Sequence, residues 1–93
     1  MFIIRGVNIF PSAVENIIRD FPEVLEYRLT VDREENLDTL HVEIEGRVSA
    51  ADRVAQELHV RLGLRVDVTD VSLGTLPRFE GKARRIVDNR RKL

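Results

Sequence analysis

The 93-residue sequence has no cysteine and no tryptophan. The missing cysteine excludes a disulfide framework, a thiolate metal site and a cysteine nucleophile. Aromatics are scarce, with four Phe and one Tyr. No apolar run approaches the ~20 residues of a membrane-spanning helix. The N-terminal Met-Phe-Ile-Ile-Arg-Gly is too short for a signal peptide, so the expectation is a cytoplasmic protein without a membrane partner. The two histidines, His41 and His59, have no ligand-like residues clustered around them, and each reads as a surface side chain. No hydroxyl has a histidine placed beside it, no glycine-rich phosphate loop is present, and no metal site is expected on these residues. What is there suits one small domain: 43% hydrophobic and 33% charged residues allow a core and a soluble surface. A domain this small has difficulty enclosing a substrate alone, so any active site is expected to be shared with another module.

The net charge of −1 hides a split. Residues 1–77 hold eight basic and fourteen acidic side chains, while 78–93 hold seven basic and two acidic. A basic tail on an acidic body suits contact with phosphates or an acidic partner surface. Arginine outnumbers lysine 13 to 2, which makes Lys82 unusual in this chain.

Patterning predicts a short strand over Phe2–Arg5, a turn marked by Asn8 and Pro11, and a helix starting at Pro11 or Ser12, with Ser12-x-x-Glu15 fitting a capping box. Its buried stripe is Val14, Ile17, Ile18 and Phe21, and Pro22 stops it. Leu25, Tyr27, Leu29 and Val31 alternate with polar residues as a strand. Asp32 to Asp38 reads as a turn, and Leu40, Val42 and Ile44 as the return strand. Ser49-x-x-Asp52 opens a second helix through Val54, Leu58 and Leu62, closed by Gly63. Leu64, Val66 and Val68 form a further strand. The order βαββαβ predicts an α+β, ferredoxin-like sandwich. The sheet face away from the helices would be polar, presenting Glu26, Arg28, Thr30, His41, Glu43, Glu45, Arg65 and Asp67. A C-terminal loop and a short basic helix over Ala83–Arg90 would follow.

Two segments go beyond what a plain fold needs: Arg5-Gly6-Val7-Asn8-Ile9-Phe10-Pro11-Ser12 with Val14-Glu15, and Gly74-Thr75-Leu76-Pro77-Arg78 with Glu80-Gly81-Lys82-Ala83. Together they resemble the small C-terminal domain of the phenylacetate–coenzyme A ligase family, within the adenylate-forming superfamily, over essentially the whole chain. The resemblance implies a mobile lid domain, residues 1–93, inactive alone. It closes in two orientations over a large N-terminal domain that binds ATP, Mg2+ and an aryl carboxylic acid. In the first orientation Lys82 contacts the substrate carboxylate and the phosphate–ribose bridge during adenylation. In the second, Gly6, Val7 and Asn8 line the passage for the pantetheine arm of coenzyme A. The large domain and the family's hinge residue lie outside this chain, and Phe79 stands where a small polar residue is usual.

Two other kinds of domain share this order of elements. A small-molecule-sensing regulatory module of the ACT type shares the topology and would place a ligand at a strand–helix interface, in a dimer. RNA-recognition modules share it too, but stack bases on central-strand aromatics, where this sequence has glutamates, so no nucleic-acid partner is expected. The acid substrate is not legible, and a homodimer is left open.

Overall fold

A computed structural model describes residues 2–76 and 85–90 of the chain, without the Phe2 side chain. It contains β1 (Phe2–Ile4), β2 (Val7–Ile9), α1 (Pro11–Arg19), β3 (Val24–Glu34), β4 (Leu37–Gly46), α2 (Ala51–Leu62), β5 (Asp67–Val71) and β6 (Ile86–Asp88). The architecture is α+β, of the expected ferredoxin-like class. Tyr27, Leu29 and Val31 of β3 pair across the strands with Ile44, Val42 and Leu40 of β4. These residues share a core with Val14, Ile17 and Ile18 of α1 and Val54 and Leu58 of α2. That burial follows from the period-2 and period-3.6 stripes in the sequence.

The main sheet has the order β5-β4-β3-β6, with β1 and β2 forming a separate two-stranded ribbon. The first strand therefore stays out of the main sheet. Arg5 (φ 48) and Gly6 (φ 82) make a two-residue turn, and Ile4 pairs with Val7. Two successive positive φ values give the turn whose twist suits a hairpin, so the chain doubles back before the helix begins.

The expected capping box of α1 is absent. Pro11 is at the start of α1, and Phe10 occupies the cap with no side-chain bond. The Phe10 carbonyl accepts from the N–H groups of Ala13 and Val14. Proline suits this place because the first helical N–H has no partner inside the helix. Ser12 lies inside the first turn, and Glu15 is buried.

The turn expected over Asp32–Asp38 shrinks to Glu35–Asn36, both with positive φ. The strands run on through Arg33 and Asp38, which are cross-strand partners joined by an ion pair of 2.8 Å. Charged residues there belong to paired strands and not to a loop.

The last strand of the expected core, placed at 64–69, is instead β5 at Asp67–Val71, parallel to β4. Leu64 and Val66 are buried in the connection that precedes it. The expected C-terminal helix is also corrected: within its described part, Ile86–Asp88 is a strand parallel to β3. No described helix is long and apolar enough to cross a membrane.

Candidate active-site segments

The first segment forms the tip of the β1–β2 hairpin. Gly6 is exposed with φ +82, and a Cβ built there meets nothing within 4 Å. Within the domain its requirement is therefore conformational, because left-handed backbone suits glycine. Val7 is half-buried and packs on the core. Asn8, paired with Ile3, faces solvent. The structure thus brings Gly6, Val7 and Asn8 together on one exposed turn and strand, where backbone and the Asn8 amide are open to a ligand.

The second segment is held at both ends. At its start, Gly74 takes φ +85. Leu76, 2% exposed, donates its N–H to Glu45 Oε1 at 2.8 Å. Residues 77–84, with Phe79 and the expected catalytic Lys82, lie outside the described residues. At the far end, Arg85 Nε donates to Glu26 Oε1 at 2.6 Å and a second guanidinium nitrogen to Oε2 at 3.3 Å. Another guanidinium nitrogen lies 3.6 Å from Glu15 Oε1 on α1, and the guanidinium sits 5.5 Å from the centre of the Tyr27 ring. The bond to Glu26, chiefly, raises the Arg85 pKa. Burial, together with the Glu15 charge, pushes the Tyr27 phenol up to about 12, against a smaller opposing pull from Arg85.

These anchors share one place on the sheet. Glu26 and Glu45 are directly opposed on β3 and β4. The sequence reading put both on a solvated face, but Glu26 is 5% and Glu45 0% exposed. The C-terminal chain covers both carboxylates, with Leu76 against Glu45 and Arg85 against Glu26, and a bulge changes the pattern beside them. The register shifts between Val24 and Glu26, a bulge that leaves Leu25 51% exposed instead of in the core. Bulges re-aim neighbouring side chains. Like charges directly opposite each other are unfavourable on a sheet, and here Arg85 and the Leu76 N–H supply the compensating donors.

The family model described as AMP-binding enzyme C-terminal domain matches residues 6–90. This chain belongs to that family. The phenylacetate-coenzyme A ligase of Escherichia coli K12 is 39% identical over 102 residues, covering 97% of this C-terminal domain and 23% of that protein. The domain thus spans about a quarter of the length of the curated relatives it matches. Among solved structures, a domain of a phenylacetate-coenzyme A ligase from Bacteroides vulgatus has a TM-score of 0.86 at 28% identity, covering 100% of this chain and 95% of that one. A 2-hydroxyisobutyryl-CoA ligase in complex with 2-HIB-AMP and CoA, in the thioesterification state, has a TM-score of 0.84 at 28% identity, covering 97% of this chain and 21% of that one.

For this AMP-binding enzyme C-terminal domain, the sequence reading found the two segments and missed what ties the second one down. The signal was present in part. Glu26 and Glu45 stand at facing positions once the hairpin register is known, and Arg85 lies in the basic tail. The other charged residues of that face behave as expected of surface groups. Arg28 pairs with Glu43 at 2.8 Å, and His41 lies 3.4 Å from the Thr69 hydroxyl. Among the described residues no group of three or more His, Asp or Glu is placed to hold a metal ion.

Proposed function

We propose that the domain serves an AMP-forming acyl-coenzyme A ligase of the phenylacetate–coenzyme A ligase type, working against an adenylation domain that holds ATP and an aryl carboxylic acid. The observation that carries this reading is the match over nearly the whole chain to relatives named as such ligases. It is supported by the fold shared with a ligase in complex with an acyl-adenylate and coenzyme A.

In the first half-reaction the carboxylate attacks the α-phosphorus of ATP, the bond to the leaving pyrophosphate breaks, and an acyl-adenylate forms. Lys82 offers its ammonium to the oxygens on which charge builds. A lysine suits this role because it is a compact charge on a long stem, and such transfers depend on positioning and charge stabilisation. In the second half-reaction the thiolate of coenzyme A attacks the acyl carbonyl and AMP leaves. The exposed tip Gly6-Val7-Asn8 lines the thiol's approach. Magnesium accompanies ATP on the adenylation domain; the described residues here offer no cluster for it, and no step is assigned to it on this chain. We read the reaction as cytoplasmic, where ATP and coenzyme A are both supplied. A regulatory, ligand-sensing role is not favoured, since it gives no account of the match to ligases.

The test is a chimera in which this chain replaces the matching quarter of the Escherichia coli ligase. Lys82→Ala in that chimera should reduce acyl-adenylate formation, read as ATP–pyrophosphate exchange, by about 10²–10³-fold. Thioester formation from supplied phenylacetyl-adenylate and coenzyme A should persist. Equal loss of both half-reactions counts against the role given to Lys82.

A further inference from the structure

We infer that Glu26 and Arg85 are positioning residues for the adenylation half-reaction, clamping to the sheet the end of the segment that carries Lys82; this rests on the reading of Lys82 given above. Arg85 follows Lys82 by three residues in the chain. Its guanidinium binds both carboxylate oxygens of Glu26, lies beside Glu15 of α1 and covers the Tyr27 ring. It therefore grips a strand, a helix and the core at once.

Among the described residues, the β6 side of β3 is paired from Leu29, where Ile86 stands opposite, and the Arg85 side chain reaches the Glu26 carboxylate just ahead of that pairing. The other end of 77–84 is fixed by Leu76 to Glu45, the cross-strand partner of Glu26. Both ends of the lysine segment thus converge on one pair of opposed carboxylates.

A domain that swings between two orientations delivers Lys82 reproducibly only if the segment's ends are rigidly part of the rotating body. Loss of the fork would let the lysine's approach wander, and misplacement by about 1 Å can cost on the order of 10²-fold in rate. Arginine is specific here. Its planar fork meets both carboxylate oxygens, which a lysine cannot do.

The chimera tests this with Glu26→Gln and Arg85→Lys, each alone and on the Lys82→Ala background. Arg85→Lys keeps a cation in place should Glu26→Gln prove poorly folded. The expected result is a fall of about 10- to 100-fold in kcat for adenylation, with KM for ATP and for the acid little changed. Thioester formation from supplied adenylate should be retained, and neither variant should slow adenylation further once Lys82 is alanine. A parallel fall in both half-reactions overturns the inference in favour of a purely structural bond. So does a full additional loss on the Lys82→Ala background, or unaltered adenylation in both variants. If Lys82→Ala itself leaves adenylation intact, the reading of the lysine falls and the clamp falls with it. If Lys82→Ala abolishes adenylation while the clamp variants are normal, only the clamp is lost.

Discussion

At the scale of single residues, the clamp has a built-in reporter. Tyr27 is the only tyrosine in a chain without tryptophan, so phenolate absorbance reports this one site. Its pKa is raised to about 12, first by burial and then by the charge of Glu15. The folded state therefore keeps a proton that the unfolded state releases near pH ~10. Stability is unaffected by this group below that pH and falls as pH rises from ~10 towards ~12. An alkaline titration of the folded chain should place the phenol near 12, and Glu15→Gln should bring it down. A midpoint at the ordinary tyrosine value in the folded chain would show that the ring is not buried among these charges. The chemistry of Tyr27 was legible only as an apolar place in an alternating strand. Its charged neighbours come from α1, β3 and the C-terminal tail, and no local pattern reveals that meeting. Gly6 was legible as part of a distinctive motif, but the positive φ of its backbone was not.

At the scale of elements, interior stripes were readable and the N-terminal caps were not. The buried faces of α1 and α2 follow from residue spacing alone, and Gly63 ends α2 in the left-handed conformation as expected, its N–H on the His59 carbonyl. The N-terminus of α2 could not be read the same way, because its cap comes from another strand. Asp70 of β5 accepts from the Ser49 hydroxyl at 2.6 Å and from the N–H groups of Ala50 and Ala51 at 3.1 and 3.4 Å. A carboxylate there satisfies free donors at the positive end of the helix. Burial works to raise the Asp70 pKa, but these bonds outweigh it and the net shift is downward. With the folded value depressed, the stabilisation is present above the ordinary aspartate range and is lost as pH falls through the folded value. Asp70→Ala should cost about 1 kcal/mol, typical of a lost cap. Urea unfolding should show the gap between native chain and Asp70→Asn at about pH 7 narrowing progressively as pH falls below the ordinary aspartate value of about 4, and closing once the native carboxyl is protonated. A gap that stays constant across that range would mean the charge of Asp70 contributes nothing to the cap.

At the scale of the whole molecule, the C-terminal tail returns to the edge of the sheet as β6, beside β3, more than fifty residues after that strand. A parallel pairing at that separation leaves no local trace, and the adjacent apolar residues Ile86 and Val87 fitted a short helix equally well. Motif resemblance singles out both candidate segments because it is carried by residue identity, whereas their mutual placement depends on this long-range pairing. The division of labour proposed for them predicts that each half-reaction can be blocked separately. Asn8 supplies the complement to Lys82. It is exposed on the hairpin, on the face opposite buried Ile4 and Ile9, so a larger side chain there adds bulk to the outer surface without entering the core. In the chimera, Asn8→Trp should leave ATP–pyrophosphate exchange near its starting rate, since the hairpin tip takes no part in adenylation. Thioester formation from supplied acyl-adenylate should slow by about tenfold or more, because the thiol must reach the carbonyl in a narrow range of geometries. Its KM for coenzyme A should rise as the passage narrows. Adenylation slowed as much as thioester formation would mean that the substitution disturbs docking of the whole domain. Unchanged thioester kinetics would mean that coenzyme A does not pass the hairpin tip, and the assignment of Gly6, Val7 and Asn8 would be withdrawn while that of Lys82 stood.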